Sequence, residues 1–490
     1  MDTVQNFKAH LKKMNNVGGA LSILSFDAHT GAPIGGAAAR AERIGYLSEE
    51  LFKLGTGKEM AGFLDALAGE KLDKETAAMY RICKKSYDNN VKVPAEKVRA
   101  FSELRSKSHV VWEQARKDND YPTFAPYLKQ IVELQKEMIE FRGSDMHPYN
   151  QLLDDYEDGL TMDDCDKFFT KIRGAIVPLL KTVQSREKDT DLSFRSLPVP
   201  IDAQRKISEF IAKKIGYDLN CGMIRESAHP FCGGTDKSDI RITTRYVEDD
   251  FLSSFFSILH ECGHAIYEQN KDDSIANTIL DSGVSMGVHE SQSRFYENII
   301  GRSRPFWNYI TDELKTYLPS SFSHVTPDMF YRAVNVAAPS LIRVEADELT
   351  YSLHIMLRYE MERMLFNENV DVNKLPGLWN EKTEEYLGLT PPNNAKGILQ
   401  DVHWCEGLMG YFPSYSLGSA LSSQLMYCME KEMKVYELVE KGDFAPITGW
   451  LTKNIHRHGQ IYTQKEIVKN ATGKDLDAQH YVDYLTEKFG

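Results

Sequence analysis

Proline is scarce in this chain, 18 residues in 490, and the stretches 34–93 and 447–490 contain none. An interior proline breaks a helix, so its absence favours a mostly helical protein. Cysteine is scarce too. The seven cysteines, at 83, 165, 221, 232, 262, 405 and 428, are widely spaced and none forms a Cys-x-x-Cys pair, which excludes a disulfide framework and points to a reducing, cytoplasmic setting. Positive charge is in deficit. A net charge of −13 repels phosphate over the surface as a whole and excludes a nucleic-acid or other polyanion partner. Long apolar runs are missing as well. The longest charge-free segment, Gly407 to Cys428, holds Gly407, Gly410, Pro413, Gly418 and five serines, which suits a tightly packed buried segment and not a membrane span. The first apolar stretch follows Lys8, Lys12 and Lys13 and is cut by Asp27, so no secretory leader is expected.

What is present is an ordinary globular composition, 42% apolar and 26% charged, with neither the disorder nor the collagen signature. At about 150 residues per domain the length suggests roughly three domains. No Gly/Ser/Pro-rich linker separates them, however, and the residues able to carry chemistry spread from 229 to 415. The expectation is a single domain over 1–490, with a helical lobe over about 1–200 and a catalytic part over about 201–490. Apolar residues Ile207, Phe210, Ile211 and Ile215 predict a helix from Ile201 to Ile215, stopped by Gly216. Ile240, Ile242, Thr244 and Tyr246 alternate with polar neighbours and predict one strand. The segment Leu341 to Val370 lacks Gly and Pro and reads as helix.

The chemistry centres on a second helix, Asp249 to Glu268. Phe251, Phe255, Ile258, Leu259, Cys262 and Ile266 form its packed stripe, which makes Cys262 core and not a ligand. On another face His260 and His264 are one turn apart, so both imidazoles can point at one divalent ion. Glu261 lies between them in angle and can reach a metal-bound water without coordinating. Chance would produce this pattern about 0.03 times in a chain of this length. A catalytic zinc takes a third protein ligand and keeps an open position. A third histidine fails at Asn270, and a glutamate at the spacing used by another zinc peptidase group fails at Gly283. Glu290, with 25 residues between it and His264, is the best remaining candidate, with Glu268 and Glu297 as competitors.

These segments, taken in order, carry a resemblance. They are His229-Pro230-Phe231, Asp239-Ile240-Arg241-Ile242-Thr243, His260-Glu261-Cys262-Gly263-His264, His289-Glu290-Ser291-Gln292, Ile342 to Asp347, and Gly397 to Trp404. Over essentially its whole length the chain resembles the Taq-type zinc metallocarboxypeptidase family, the HExxH carboxypeptidases that include thermostable carboxypeptidase 1. Near the start, Phe26 stands where that family's aromatic-Asp segment has a Trp. The resemblance implies a mainly α fold, a large lobed helical domain with a long deep groove and a small β-sheet. It also implies a homodimer, one zinc or cobalt ion per chain, and release of single C-terminal residues from peptides with a free C-terminus.

A free carboxylate calls for a fixed cation, and arginine's planar fork suits it. Arg241 and Arg343 are the candidates, although Arg241 could instead pair with Asp239 and Arg343 with Asp347 across one helical turn. Zinc would acidify its water and Glu261 would take the proton and hand it to the leaving amine. An oxyanion donor is then needed. The related helical zinc peptidases favour Tyr415, with Tyr411 and His403 holding substrate. The resemblance places His229, Gln400, Asp401 and His403 at the closed end of the groove. Asp347 or Asp401 could orient a ligand imidazole. An endo-acting oligopeptidase or dipeptidase on the same scaffold, or an inactive helical scaffold with a structural metal, are the competing readings.

Overall fold

The computed structural model describes residues 2–186 and 190–490. Helices dominate, and the three strands form one small sheet of order β1-β3-β2, where β1 is Ile224–Glu226, β2 is Cys232–Gly234 and β3 is Ile240–Thr244. β1 runs parallel to β3, with Ile224 opposite Ile242, and β2 runs antiparallel, with Cys232 opposite the same Ile242. Ile240 and Ile242 are buried, as their alternation requires. Gly234 in β2 sits where a Cβ would lie 2.1 Å from the Asp239 carbonyl oxygen, so only glycine closes this hairpin.

The helix Ile201–Ile215 ends where expected, with Gly216 in the left-handed conformation at φ 101° and its amide donating to the carbonyls of Ala212 and Lys213. The metal-motif helix runs Phe251–Gln269, and all six residues of its expected stripe are buried. The segment from Leu341 differs from expectation. Arg343–Glu345 is a single 3₁₀ turn and regular helix begins only at Tyr351, running to Arg363. The Arg343 amide donates to the side-chain oxygen of Gln400 (2.8 Å), so a tertiary bond replaces the helical one.

Among the described residues two large apolar cores are accompanied by a smaller one, in which Phe7, Leu11, Met60 and Leu64 meet Ile275 and Leu280. One large core surrounds helix Phe251–Gln269 and includes helix Ile201–Ile215, helix Arg304–Lys315 and the chain from Val435 to Val468. The other joins Trp112 to Val183 with Ala337 to Leu417 and the final helix Gln479–Phe489. Helix Pro413–Met429 is the seam between them: Leu417 and Ala420 belong to the second core, Leu421, Leu425 and Met429 to the first. This is the charge-free segment, buried as its composition suggests. No helix among the described residues is long and apolar enough to cross a membrane. At the N-terminus, helix Thr3–Thr30 is anchored chiefly by Phe7, Leu11 and Phe26, while helix Ala37–Thr56 buries no residue at all.

Candidate metal centre and substrate-binding residues

Helix Phe251–Gln269 presents His260 and His264 side by side, ring centroids 4.9 Å apart. Helix Met286–Arg294 crosses it at Gly263, where a Cβ would fall 2.5 Å from the Gln292 carbonyl oxygen and 2.6 Å from Ser293 Cα. Any side chain at 263 would hold the two helices apart. The close crossing brings Glu290 Oε2 to 3.6 Å from Nε2 of His260 and to 3.6 Å from Nε2 of His264. Tetrahedral ligands at zinc distances lie roughly 3.3–3.5 Å from one another, so three donors at this spacing suit one divalent ion. On its far side Glu290 is braced by Gly418 of helix Pro413–Met429, where a Cβ would meet Glu290 Cβ and Cγ at 2.6 Å.

The other polar atom of each of these three residues is already engaged. Glu290 Oε1 accepts from Arg294 Nε (2.7 Å), His260 Nδ1 lies 2.7 Å from Glu297 Oε2, and His264 Nδ1 lies 2.6 Å from Nδ1 of His289. Nε2, Nε2 and Oε2 face the common point, and Oε2 also accepts from Ser293 Oγ (3.2 Å). Glu297 comes from the π-helical turn Phe295–Ile300, and Arg294 bridges it to Glu290. Such a turn commonly marks a functional position. The groups behind the two imidazoles are thus Glu297 and His289, and not Asp347 or Asp401 as expected. Asp347 caps Leu349 and Thr350, and Asp401 binds two arginines.

The two histidines sit in different fields: burial, with His289 and His260 nearby, pushes the His264 pKa well below its usual value. Burial disfavours the His260 imidazolium, but Glu290, Glu297 and Glu261 outweigh it and push its pKa up to about 9. Burial, with Glu290 and Glu297 nearby, raises Glu261 to about 7 against the pull of His260. A second group of possible donors among the described residues, His109, Cys405 and Glu406, does not share this geometry. Its His109 Nδ1 and Glu406 Oε1 are 2.6 Å apart, a hydrogen-bond distance, and Arg105 already pairs with Glu406.

The remaining candidates separate into two places. Arg343 is buried at 7% exposure. Its Nε binds Asp401 Oδ1 (2.8 Å), its Nη1 lies 3.2 Å from the Tyr351 hydroxyl, and its guanidinium sits 5.2 Å from the Tyr415 ring. Tyr351 in turn lies under Arg294, 4.2 Å from guanidinium to ring, which ties Arg343 to the Glu290 side of the centre. Asp401 also accepts from Arg358, and Gln400 Oε1 accepts from Arg358 and from the Arg343 amide. The helix-surface pair of Arg343 with Asp347 is thus replaced by a pair with Asp401, 58 residues away. His403 Nε2 lies 3.1 Å from the Tyr415 hydroxyl, and its ring stacks on Tyr411 at 5.8 Å. Burial and the neighbouring Arg343 hold the His403 pKa down to about 3, so it is neutral.

Arg241 lies in the other place. Both arms of its fork are on Asp239 (2.6 and 2.8 Å), and it stacks 5.2 Å from the Phe26 ring, which itself packs against Phe231. The ion pair with Asp239 is present, and three of the sequence motifs meet through this stack. His229 is exposed, and the charged groups acting on it are Arg116, Arg245 and His109. The glycines of the charge-free segment approach protein and not ligand: a Cβ at Gly410 would lie 2.7 Å from the Leu152 backbone. Nothing periodic in the sequence signals His289 as a ring behind His264 or Arg358 as a partner of Asp401.

Residues 6–489 match the model of the carboxypeptidase Taq (M32) metallopeptidase family. Carboxypeptidase 1 of Bacillus subtilis (strain 168) is 42% identical over 482 residues, covering 98% of this chain and 96% of its own. Thermostable carboxypeptidase 1 of Pyrococcus furiosus is 36% identical over 492 residues, covering 100% of this chain and 98% of its own. Among solved structures, the M32 carboxypeptidase of Deinococcus radiodurans R1 superposes with a TM-score of 0.96 at 34% identity, covering 100% of this chain and 99% of that one. Pyrococcus furiosus carboxypeptidase gives 0.97 at 36% with the same coverage. A family match over nearly the whole length, together with whole-chain relatives well above 30% identity, places this chain in the M32 family: it is a metal-dependent carboxypeptidase.

Proposed function

We propose that His260, His264 and Glu290 hold one zinc ion per chain, and that this chain uses it to release single amino acids from the free C-terminus of peptides. The observation that carries the proposal is the equal 3.6 Å approach of Glu290 Oε2 to both imidazole Nε2 atoms, with the opposite polar atom of each residue tied down. Nitrogen, nitrogen and carboxylate oxygen form the donor set of a catalytic zinc that keeps one position open. When bound, the ion acidifies water and polarises the scissile carbonyl. Glu261, buried next to His260, takes the water's proton and passes it to the leaving amine. A raised carboxylate pKa makes it a stronger base and a competent acid in turn.

Arg343 receives the substrate carboxylate. It is supported by its place next to Tyr351 and Tyr415, whereas Arg241 packs on Phe26 and holds Asp239 through Nε and Nη2. Asp401 and Gln400 hold Arg343 and Arg358 in position. Tyr415 donates to the developing oxyanion, its hydroxyl set by neutral His403 and its ring by Tyr411. Exposed His229, beside Phe231, contacts the peptide further along its length. The chain acts as one catalytic body over 1–490, a reading supported by the core that joins residues 112–183 to 337–485. A helix at 37–56 with no buried residue supports a homodimer, and seven free thiols support a reducing, cytoplasmic setting.

The test is mass spectrometry of a peptide digest with metal analysis of the same sample, comparing wild type with Glu261→Gln. The expected result is a ladder from the C-terminus and one zinc per chain in the wild type, with the ladder lost and the zinc kept in the variant. Cleavage of a C-terminally amidated peptide at an internal bond would refute it, as would full activity of the variant.

A further inference from the structure

The two histidines of the centre are supported from behind by different chemistry. Behind His260 is a carboxylate, Glu297 Oε2 at 2.7 Å. Behind His264 is a second imidazole, His289, with the two Nδ1 atoms 2.6 Å apart. His289 continues the chain: its Nε2 lies 2.9 Å from Glu268 Oε1, and Glu268 Oε2 is paired with the ammonium of Lys271, which is buried to 2% exposure.

We infer that His289 is a positioning residue that accepts the Nδ1 proton of His264 and, with Glu268 and Lys271 behind it, sets the orientation in which His264 offers Nε2 to the metal. The inference rests on the ligand assignment proposed above. A histidine that coordinates through Nε2 carries its proton on Nδ1, so the group behind it must accept. A neutral imidazole can accept at Nδ1 only if its own proton is on Nε2. Glu268 is an acceptor placed against that nitrogen, so it selects the required tautomer. Glu268 stays ionised, because the buried Lys271 ammonium paired with it outweighs the burial and holds its carboxyl below the usual carboxylate range. Lys271 offsets the buried negative charge.

A second, independent feature fixes the ring itself. His289 lies between Tyr267, at 5.2 Å between centroids, and the backbone of Gly283, where a Cβ would fall 2.5 Å from His289 Cδ2. An alanine at 283 could not be added without tilting the imidazole. Gly283 thus supplies the space that lets an imidazole stand behind His264.

The experiment measures the rate at which zinc leaves the holoenzyme into excess chelator, followed by atomic emission, and the visible absorption spectrum of the cobalt-substituted protein. Three variants are compared: His289→Phe, which keeps the ring and removes the acceptor; His289→Asn, whose side-chain oxygen can occupy the Nδ1 position; and Gly283→Ala, which leaves every hydrogen-bonding group in place and displaces the ring. His264→Ala serves as reference. Expected is metal release roughly 10–100-fold faster in His289→Phe, faster release with an altered cobalt spectrum in Gly283→Ala, and a rate within several-fold of wild type in His289→Asn. Should His289→Phe be poorly folded, Gly283→Ala carries the test. Wild-type release rates in both His289→Phe and Gly283→Ala, while His264→Ala loses its metal, would overturn the positioning role and leave the ligand assignment standing. Equal rates for His289→Phe and His289→Asn would also overturn it, since loss of packing alone would explain them. Full retention of metal by His264→Ala would instead refute the ligand assignment.

Discussion

Replacing Gly418 by alanine adds one methyl group where helix Pro413–Met429 touches the back of Glu290. The new Cβ would lie 2.6 Å from Glu290 Cβ and Cγ and 3.0 Å from its carbonyl carbon. Carbon atoms pack at about 3.5–4.0 Å, so one of the two helices must retreat by about 1 Å. Overpacking a well-filled site costs about 1–3 kcal/mol. Alanine in a helix interior returns about 1 kcal/mol relative to glycine, so the net loss of stability is small, about 0–2 kcal/mol. The functional loss is larger. A shift of about 1 Å in a residue that sets catalytic geometry costs on the order of 10²-fold in rate, and here the displaced residue is a proposed metal ligand. Gly174→Ala is the control, because a Cβ at that helical glycine meets nothing within 4 Å. It should raise stability by up to about 1 kcal/mol and leave activity alone. The assays are thermal unfolding, zinc content after dialysis, and kcat/KM on one peptide. Gly418→Ala with one zinc per chain and kcat/KM within threefold of wild type would refute the close-approach reasoning.

Other predictions follow from the same geometry. Arg343→Ala should raise KM for peptides with a free C-terminus and lower stability, since it leaves Asp401 with Arg358 as its remaining buried cation; Arg241→Ala should leave KM near wild type. Equal KM effects in the two, measured by steady-state kinetics, would overturn the assignment. Tyr415→Phe should lower kcat by about 10²–10³ with zinc retained, and unchanged turnover would remove Tyr415 from the oxyanion role. Glu157 is fully buried, bound by Ser414 and the Gly287 amide, and burial raises its pKa from 4.5 to about 7. A raised carboxyl pKa means that the folded state favours the protonated form, so its contribution is fully present below pH 4.5 and is lost as pH rises through 7, by about 3 kcal/mol at most. Glu157→Gln should therefore flatten the stability curve between pH 4.5 and about 7. An unchanged slope in denaturant titrations would refute this.

The sequence was most legible where structure is local. Two imidazoles one turn apart share a helix face whatever surrounds them, and the apolar stripe through Phe251, Phe255, Leu259 and Ile266 names the opposite face. Gly216 ends its helix through its own backbone freedom. The motif set, read as a family resemblance, extended this to the whole fold. Absence of Gly and Pro after Leu341 misled, because it removes obstacles to a helix without supplying the packing that makes one. Gln400 captured the Arg343 amide instead. Arg343 and Arg358 meet at Asp401 across 58 and 43 residues, and Glu297 and His289 reach His260 and His264 across 37 and 25. No periodicity links such pairs. Gly263, Gly283 and Gly418 likewise look like weak points inside or beside helices when read in sequence, and their meaning lies in what another segment places against them. By itself the sequence determined the ligand-bearing helix, its buried face and the class of chemistry. The tertiary structure alone brought Glu290 to the two imidazoles, Glu297 and His289 behind them, and Arg343 to Tyr351 and Tyr415, because each contact depends on how closely two backbones approach after the chain has folded.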